Sequence, residues 1–239
     1  MKNMTLSSTT DFNEIYETEF DIVIGTTAVT RSELHSITFP KYLDFIEGLN
    51  VLWIINIDSI MNEDPEFTKQ NILKMCEGKS IKLIFNISHS KTALITFWNA
   101  AKLVINMISE FRCKYGVLWL EDDWEYFPNY KLIDLLGNIK RYTYIQLVKR
   151  DYLMIAGKYT NNCASFNPGF WEPELFKHLI VDRINAIDNS SGLYNPEHAT
   201  LPDQAQIQIL HHLQYPCFVD IGRDWQARTI KTRTFKYND

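Results

Sequence analysis

The chain has 239 residues, of which 46% are hydrophobic and 13% aromatic. That composition suits one large packed domain or two small ones and excludes a disordered polypeptide. The formal net charge of −5 argues against a general nucleic-acid binder that relies on neutralising phosphates, although the last stretch is locally basic.

The first residues, Met1 to Thr18, are polar and acidic and lack the apolar core of a signal peptide. Phe20 to Gly25 predicts a buried strand that ends in Thr26-Thr27. Arg31 to Leu49 carries apolar residues at Leu34, Ile37, Tyr42, Phe45 and Ile46, which predicts a helix interrupted near Pro40. Val51 to Ile57 is a second strand, ending at Asp58. Pro65 to Gly78 reads as a helix with a start and a stop signal at its two ends. A third strand, Ile81 to Ile87, runs into Ser88-His89-Ser90-Lys91. Ala93 to Phe111 is the most apolar long stretch, but Asn99, Lys102 and Asn106 interrupt it, so a buried helix is expected and not a membrane span. Four cysteines (Cys76, Cys113, Cys163, Cys217) without a C-x-x-C pair fit neither a zinc site nor a disulfide framework. Together these features predict a soluble, cytoplasmic protein with no transmembrane segment.

The fourth strand organises the chain. Tyr115 to Leu120 leads directly into Glu121-Asp122-Asp123-Trp124. A run of this kind is a fully buried strand of a parallel sheet, and its acids emerge at the C-terminal end, where open α/β sheets bind ligands. Three adjacent carboxylates repel one another unless a cation lies among them. Two readings stand side by side: a divalent-metal and polyphosphate site, or a solvated acidic turn. Repeated strand–helix alternation predicts an α/β fold, a single Rossmann-like domain with a mostly parallel central sheet, helices on both faces and a smaller mixed or antiparallel C-terminal part.

After Trp124 the pattern loosens. Tyr130 to Arg141 predicts a helix, Tyr144 to Val148 a strand, and Asp151 to Ala156 a further, antiparallel strand. Asn161 to Trp171 reads as turn-rich, Glu172 to Ile187 as helical, and Asp188 to Pro202 as a loop. Pro202-Asp203-Gln204 predicts the start of a helix to about Leu213, on which His211 and His212 point about 100° apart and cannot chelate one ion. Cys217 to Asp220 is a short last strand. Trp53, Trp98 and Trp119 lie in apolar runs and are expected in the core. A tail with Arg223, Arg228, Lys231, Arg233 and Lys236 is a solvated terminus or a cationic cover for a diphosphate. No G-x-G-x-x-G or G-x-x-x-x-G-K-[ST] follows the first strand, so neither an NAD enzyme nor a P-loop NTPase is favoured.

The strand ending in Glu121-Asp122-Asp123, the later Asn167-Pro168-Gly169-Phe170-Trp171 and the Pro202-Asp203-Gln204 helix start resemble, from Phe20 to Gln204, the GT-A fold of nucleotide-sugar glycosyltransferases. The acidic triplet is most similar to the Glu-Asp-Asp version of the D-x-D motif in the N-acetylglucosaminyltransferase I family. The resemblance implies an N-terminal extension over residues 1–18, a GT-A domain over 19–222 (nucleotide-sugar half 19–124, acceptor half 125–222) and a basic tail over 223–239, with room for further domains of a larger polypeptide. It also implies a metal-dependent, inverting hexosyl- or hexosaminyltransferase using a UDP-sugar donor and a hydroxyl of a glycan or other acceptor. In that scheme Asp123 binds Mn²⁺ or Mg²⁺, Asp122 the ribose and Glu121 a donor-sugar hydroxyl. Thr26, Thr27 and Arg31 match the nucleotide-binding start of the fold, Asp58 the acid that reads the base, and Lys91 a ribose or phosphate contact. Asp203 matches the general base, with Glu197 and Asp224 in reserve. Trp124, Trp171 and Gly169 fall on the acceptor side. The same residues leave open a sugar-phosphate nucleotidyltransferase or a non-catalytic nucleotide-sugar- or carbohydrate-binding module.

Overall fold

The computed structural model describes residues 7–8, 12–59, 63–88, 93–137, 139, 143–148, 153–155, 158–160, 168–181, 209–212, 217–222 and 224. In chain order the elements are β1 (Ser7–Ser8), α1 (Phe12–Glu17), β2 (Phe20–Val29), α2 (Ser32–Phe45), β3 (Val51–Asp58), α3 (Pro65–Cys76), β4 (Ile81–Ser88), α4 (Ala93–Ile108), β5 (Cys113–Glu121), β6 (Trp124–Tyr126) and α5 (Leu132–Leu136). They continue with β7 (Thr143–Gln146), β8 (Leu153–Ile155), β9 (Lys158–Thr160), β10 (Gly169–Trp171), α6 (Pro173–Phe176), a π-helical turn at Lys177–Val181, β11 (Ile209–His212) and β12 (Phe218–Asp220).

Eight strands form one sheet in the order β1-β4-β3-β2-β5-β10-β7-β11. β4, β3, β2 and β5 are mutually parallel, β10 runs antiparallel between β5 and β7, and β11 is parallel to β7. The parallel strands are Val- and Ile-rich because both of their faces are covered. On one face Ile22, Ile24, Trp53, Ile55, Leu118 and Leu120 pack with Phe39, Tyr42 and Ile72 of α2 and α3. On the other, Val23, Leu52, Ile54, Val117 and Trp119 pack with Ala101, Val104, Ile105 and Ile108 of α4. Full burial of each such side chain contributes about 1.5–3 kcal/mol before chain entropy is set against it. The predicted α/β architecture, with helices on both faces and a mixed C-terminal part, is the observed one. Among the described residues no helix is long and apolar enough to cross a membrane.

Local signals explain several ends. Asp64 caps α3 by accepting from Glu66 N at 2.9 Å, Pro65 opens the helix, and Gly78 follows it at φ +72°. Cys76 and Cys217 are buried free thiols, and burial pushes both up to about 12.

Four predicted elements differ. α2 runs unbroken through Pro40, whose exposed position lets the carbonyl of the equally exposed Ser36 turn to water; Ile37, expected on the apolar face, is 43% exposed. The helix predicted over Tyr130 to Arg141 is the single short α5. Gly169–Trp171, read as part of a turn-rich segment, is a buried strand. Ile209–His212, predicted to end a helix, is a strand parallel to β7, so local propensity yields there to the partner strand. The side chain of Trp98 lies outside the described residues.

Gly116 marks where β5 and β10 touch. It has φ +154°, and a Cβ there would run into the Trp171 carbonyl and the Phe170 ring. Gly116→Ala is expected to lower unfolding free energy by about 1–3 kcal/mol, read from the urea midpoint at unchanged slope; an unaltered midpoint would contradict this packing.

Candidate functional site

The strand order reverses between β2 and β5: β3 and β4 lie to one side of β2, and the next parallel strand lies to the other. In doubly wound sheets the crevice at such a reversal, outside the C-terminal ends, is where ligands bind. Here it is formed by the ends of β2 and β5, that is by Val29 to Arg31 and by the acidic turn.

The three acids of that turn have different surroundings. Asp122 is buried, and four donors converge on its carboxylate. Oδ2 accepts from Val29 N (3.0 Å), Arg31 Nε (2.9 Å) and His35 Nε2 (2.8 Å), and Oδ1 accepts from Arg31 Nη2 (2.5 Å). A carboxylate offers about four lone-pair sites, two on each oxygen, so Oδ2 is fully used while Oδ1 keeps one beside Arg31 Nη2, on a side chain only 4% exposed. Because an ionised carboxylate only accepts, the His35 proton is assigned to Nε2. Arg31 Nη2 also reaches Asp123 Oδ2 at 3.0 Å and so bridges two acids. Glu121 Oε2 accepts from Trp124 Nε1 at 2.7 Å.

One stripe of α2 makes this possible. Arg31, His35, Thr38 and Tyr42 follow i, i+4, i+7, i+11 spacing and share one face of the helix and its N-terminal cap. Thr38 Oγ1 donates to Asp122 O (3.0 Å), and the Tyr42 hydroxyl donates to the carbonyl pair Glu121 O (2.7 Å) and Trp124 O (2.5 Å). The stripe therefore holds both the carboxylate and the backbone of the turn. Burial alone would raise the Asp122 pKa, but the Arg31 charge and the hydrogen bonds from His35 and Arg31 outweigh it and hold the carboxyl well below the usual range. For Arg31, burial opposes the charged form, and Asp122 and Asp123 more than restore it. The Tyr42 phenol is pushed up by burial first and then by the two aspartates.

A second polar feature crosses the sheet. Thr27 pairs in register with Asn56 and Glu121, and Asn56 pairs with Asn86. These four lie on the α4 face, where the apolar rows end. Asn86 Nδ2 donates to Asn56 Oδ1 (2.6 Å) and Asn56 Nδ2 donates to Ser88 Oγ (3.0 Å). Asn86 Oδ1 is buried without a hydrogen-bond partner among the described residues.

Among the predicted site residues, Thr27, Arg31, Asp58, Glu121, Asp122 and Asp123 share this edge. Asp58 is 3% exposed at the end of β3, in register with Val29 and Ser88. Thr26 faces the opposite side, fully buried, and accepts from Trp53 Nε1 at 2.8 Å, so it has a packing task. Trp124 is 8% exposed in the α2-side core. Trp171 pairs with Val117, four residues back from Glu121 or roughly 13 Å along β5, and packs on Tyr144. Gly169 is closed over by the Tyr144 ring. The two rings and the space at Gly169 are thus taken up by core packing. Lys91, Asp203 and Glu197 lie outside the described residues. Asp224 is exposed.

Sequence reasoning missed His35, Thr38, Asn56 and Asn86. The helical spacing from Arg31 was one available signal. The paired endings Asn56-Ile57-Asp58 and Asn86-Ile87-Ser88 were another, since a lone Asn in a buried strand needs a partner.

The described residues do not fit the expected divalent cation. The Asp122 carboxylate is buried with Oδ2 fully used, the guanidinium of Arg31 fills the gap between Asp122 and Asp123, and among the described residues no three His, Cys, Asp or Glu side chains gather to hold an ion.

β12 pairs antiparallel with β6, with Asp220 opposite Trp124, and carries the chain back to the acids. Ile221 N donates to Asp123 O (2.9 Å), and a Cβ at Gly222 would overlap the Asp123 carboxylate.

Replacing Asp122 by Asn is expected to cost about 3–5 kcal/mol, because it removes the main counter-charge of a buried guanidinium and leaves it only Asp123 at 3.0 Å. With its folded pKa depressed, Asp122 adds stability that is fully present above about pH 4 and fades as pH falls further. Denaturant unfolding from pH 7 down to pH 2 checks both, since that acid-side loss must be smaller in Asp122→Asn. Gly222→Ala is expected to push Asp123 off Arg31 and lower stability by about 1–3 kcal/mol; a crystal structure of the variant with the 3.0 Å contact intact would refute this.

No protein-family model matches the chain, and no curated protein matches it. Among solved structures it is similar to the mannosyltransferase PcManGT from Pyrobaculum calidifontis in complex with GDP-Man and Mn²⁺, at 8% identity and TM-score 0.47, over 69% of this chain and 48% of that one. It is also similar to the WbbM bifunctional glycosyltransferase in its apo structure, at 10% identity and TM-score 0.36, over 56% of this chain and 23% of that one. The chain thus spans about half the length of the first and about a quarter of the second.

Proposed function

We propose that the chain is a nucleotide-sugar glycosyltransferase of GT-A type, moving a hexosyl or hexosaminyl group from a donor, a UDP-sugar by preference, to a hydroxyl of a glycan or other acceptor. The observation that carries this reading is the gathering of Arg31, Asp58, Glu121 and Asp123 at the sheet edge where strand order reverses, around the Asp122 lock. The run of Tyr115 to Leu120 into three acids, in the manner of the Glu-Asp-Asp glycosyltransferases, supports it from the sequence.

In this reading the donor lies along the C-terminal edge. Asp58 reads the nucleobase edge, and the row Thr27, Asn56, Asn86 and Glu121 supplies amide, hydroxyl and carboxylate partners for neutral donor groups. The acceptor oxygen attacks C1 of the sugar, the bond from C1 to the diphosphate oxygen breaks, and the nucleoside diphosphate leaves with that electron pair. A carboxylate takes the acceptor proton, which is the role assigned to Asp203, and attack from the opposite face inverts the anomeric carbon. Asp122 is assigned a holding role in place of the ribose contact, since its carboxylate is buried and takes four hydrogen bonds from the chain.

A panel of UDP- and GDP-sugars, screened by thermal shift and by nucleoside diphosphate release with glycan acceptors, tests the reading. One donor class is expected to raise the melting temperature and to release its nucleoside diphosphate. Pyrophosphate release from a sugar phosphate and a nucleoside triphosphate would replace the reading with nucleotidyl transfer, and silence from every donor would overturn it. Asp203→Asn is expected to keep the donor-induced shift and to lose about 10²–10⁴ of the transfer rate; wild-type turnover would move the base role elsewhere.

A further inference from the structure

We infer that the acidic edge takes its nucleoside diphosphate without a divalent cation, because the guanidinium of Arg31 already occupies the cation position between Asp122 and Asp123. The inference rests on the proposed donor class but is carried by separate geometry. A hard divalent ion needs several oxygen ligands, about six for Mg²⁺, with lone pairs facing a common centre. Asp122, the middle acid, directs its lone pairs at Val29 N, Arg31 and His35 instead. Asp123 directs Oδ2 at the same Nη2 that holds Asp122. Both groups of the ion pair are buried, Arg31 to 2% and Asp122 to 4% side-chain exposure.

Admitting an ion would therefore mean expelling Arg31 from a pocket in which every hydrogen bond described for its side chain goes to these two carboxylates. Arg31 is anchored from below as well, since it precedes the first turn of α2, whose His35, Thr38 and Tyr42 are tied to the same turn. A guanidinium in this place supplies fixed positive charge at the sheet edge, does so at every pH a cell meets, and does not dissociate. The guanidinium thus offsets one of the two aspartate charges within the folded chain, with no bound ion needed to do so.

Two measurements on the full chain decide the matter. The first is binding of Mn²⁺ alone, followed by the electron paramagnetic resonance of the free ion, in wild type and in Asp123→Asn. No uptake by wild type is expected. Uptake that disappears in Asp123→Asn overturns the inference, whereas uptake that persists in Asp123→Asn puts the ion elsewhere and leaves Arg31 in its position. The second is UDP and GDP affinity by calorimetry in EDTA and in Mn²⁺. Equal affinity within about twofold is expected, and a gain of about tenfold or more with Mn²⁺ overturns the inference. If neither nucleotide binds in either buffer, the donor reading fails while the Mn²⁺ measurement still judges the cation position. Arg31→Lys, which keeps the charge but not the fork, is expected to fold and to gain Mn²⁺ uptake over wild type, because a lysine cannot occupy both carboxylates at once; an Arg31→Lys protein that folds and gains no Mn²⁺ uptake overturns the inference.

Discussion

Everything at the C-terminal edge of this sheet depends on one buried carboxylate that takes four hydrogen bonds from two elements. An ionised Asp122 away from water is tolerable only because Val29 N, Arg31 and His35 surround it, and those three come from the end of β2 and the start of α2. The same contacts explain why α2 lies where it does. Its apolar residues, such as Phe39 and Tyr42, hold it against the sheet, but hydrophobic burial has no preferred register along a helix. The directional bonds of Arg31, His35, Thr38 and Tyr42 to the acidic turn select one.

Three neighbouring acids thus divide into distinct tasks. Asp122 is a structural key, Glu121 is fastened to the Trp124 indole, and Asp123 sits half-buried between the guanidinium of Arg31 and the returning chain at Gly222. Repulsion within the triplet is relieved by pointing the side chains at different partners, which is an alternative to gathering them round one ion. Beside them, the Thr27–Asn56–Asn86–Glu121 row gives the α4 face a polar margin where its apolar layer stops. Within this row Asn56 is bonded through both its amide oxygen and its nitrogen, and Asn86 Oδ1 is buried without a partner among the described residues.

Much of the architecture was legible from the first half of the chain. The runs at Phe20, Val51, Ile81 and Tyr115 are long, apolar and separated by helical segments, so strand type, parallel pairing and the side on which the acids emerge all follow from local pattern. The second half was harder, because its strands are three or four residues long and owe their form to neighbours. Gly169–Trp171 becomes a strand between β5 and β7, and Ile209–His212 becomes one beside β7, against their local turn and helix signals. At the site, the residue types were legible and their partnerships were not. Nothing in Glu121-Asp122-Asp123 alone says that the middle acid turns inward to residues some ninety positions earlier. Trp171 shows how register decides surroundings: it pairs with Val117, back along β5 from the acidic turn, and is buried there.

The ribbon of β6 and β12 has a consequence for synthesis on the ribosome. Arg31 can meet Asp122 as soon as β5 has emerged, but the glycine that backs Asp123 follows it by roughly a hundred residues. At ordinary elongation rates that delay is about 5–20 s. During it β2 to β5 are available without the β6–β12 ribbon, so the acidic turn gains the flank at Gly222 only after the strands that carry its other partners.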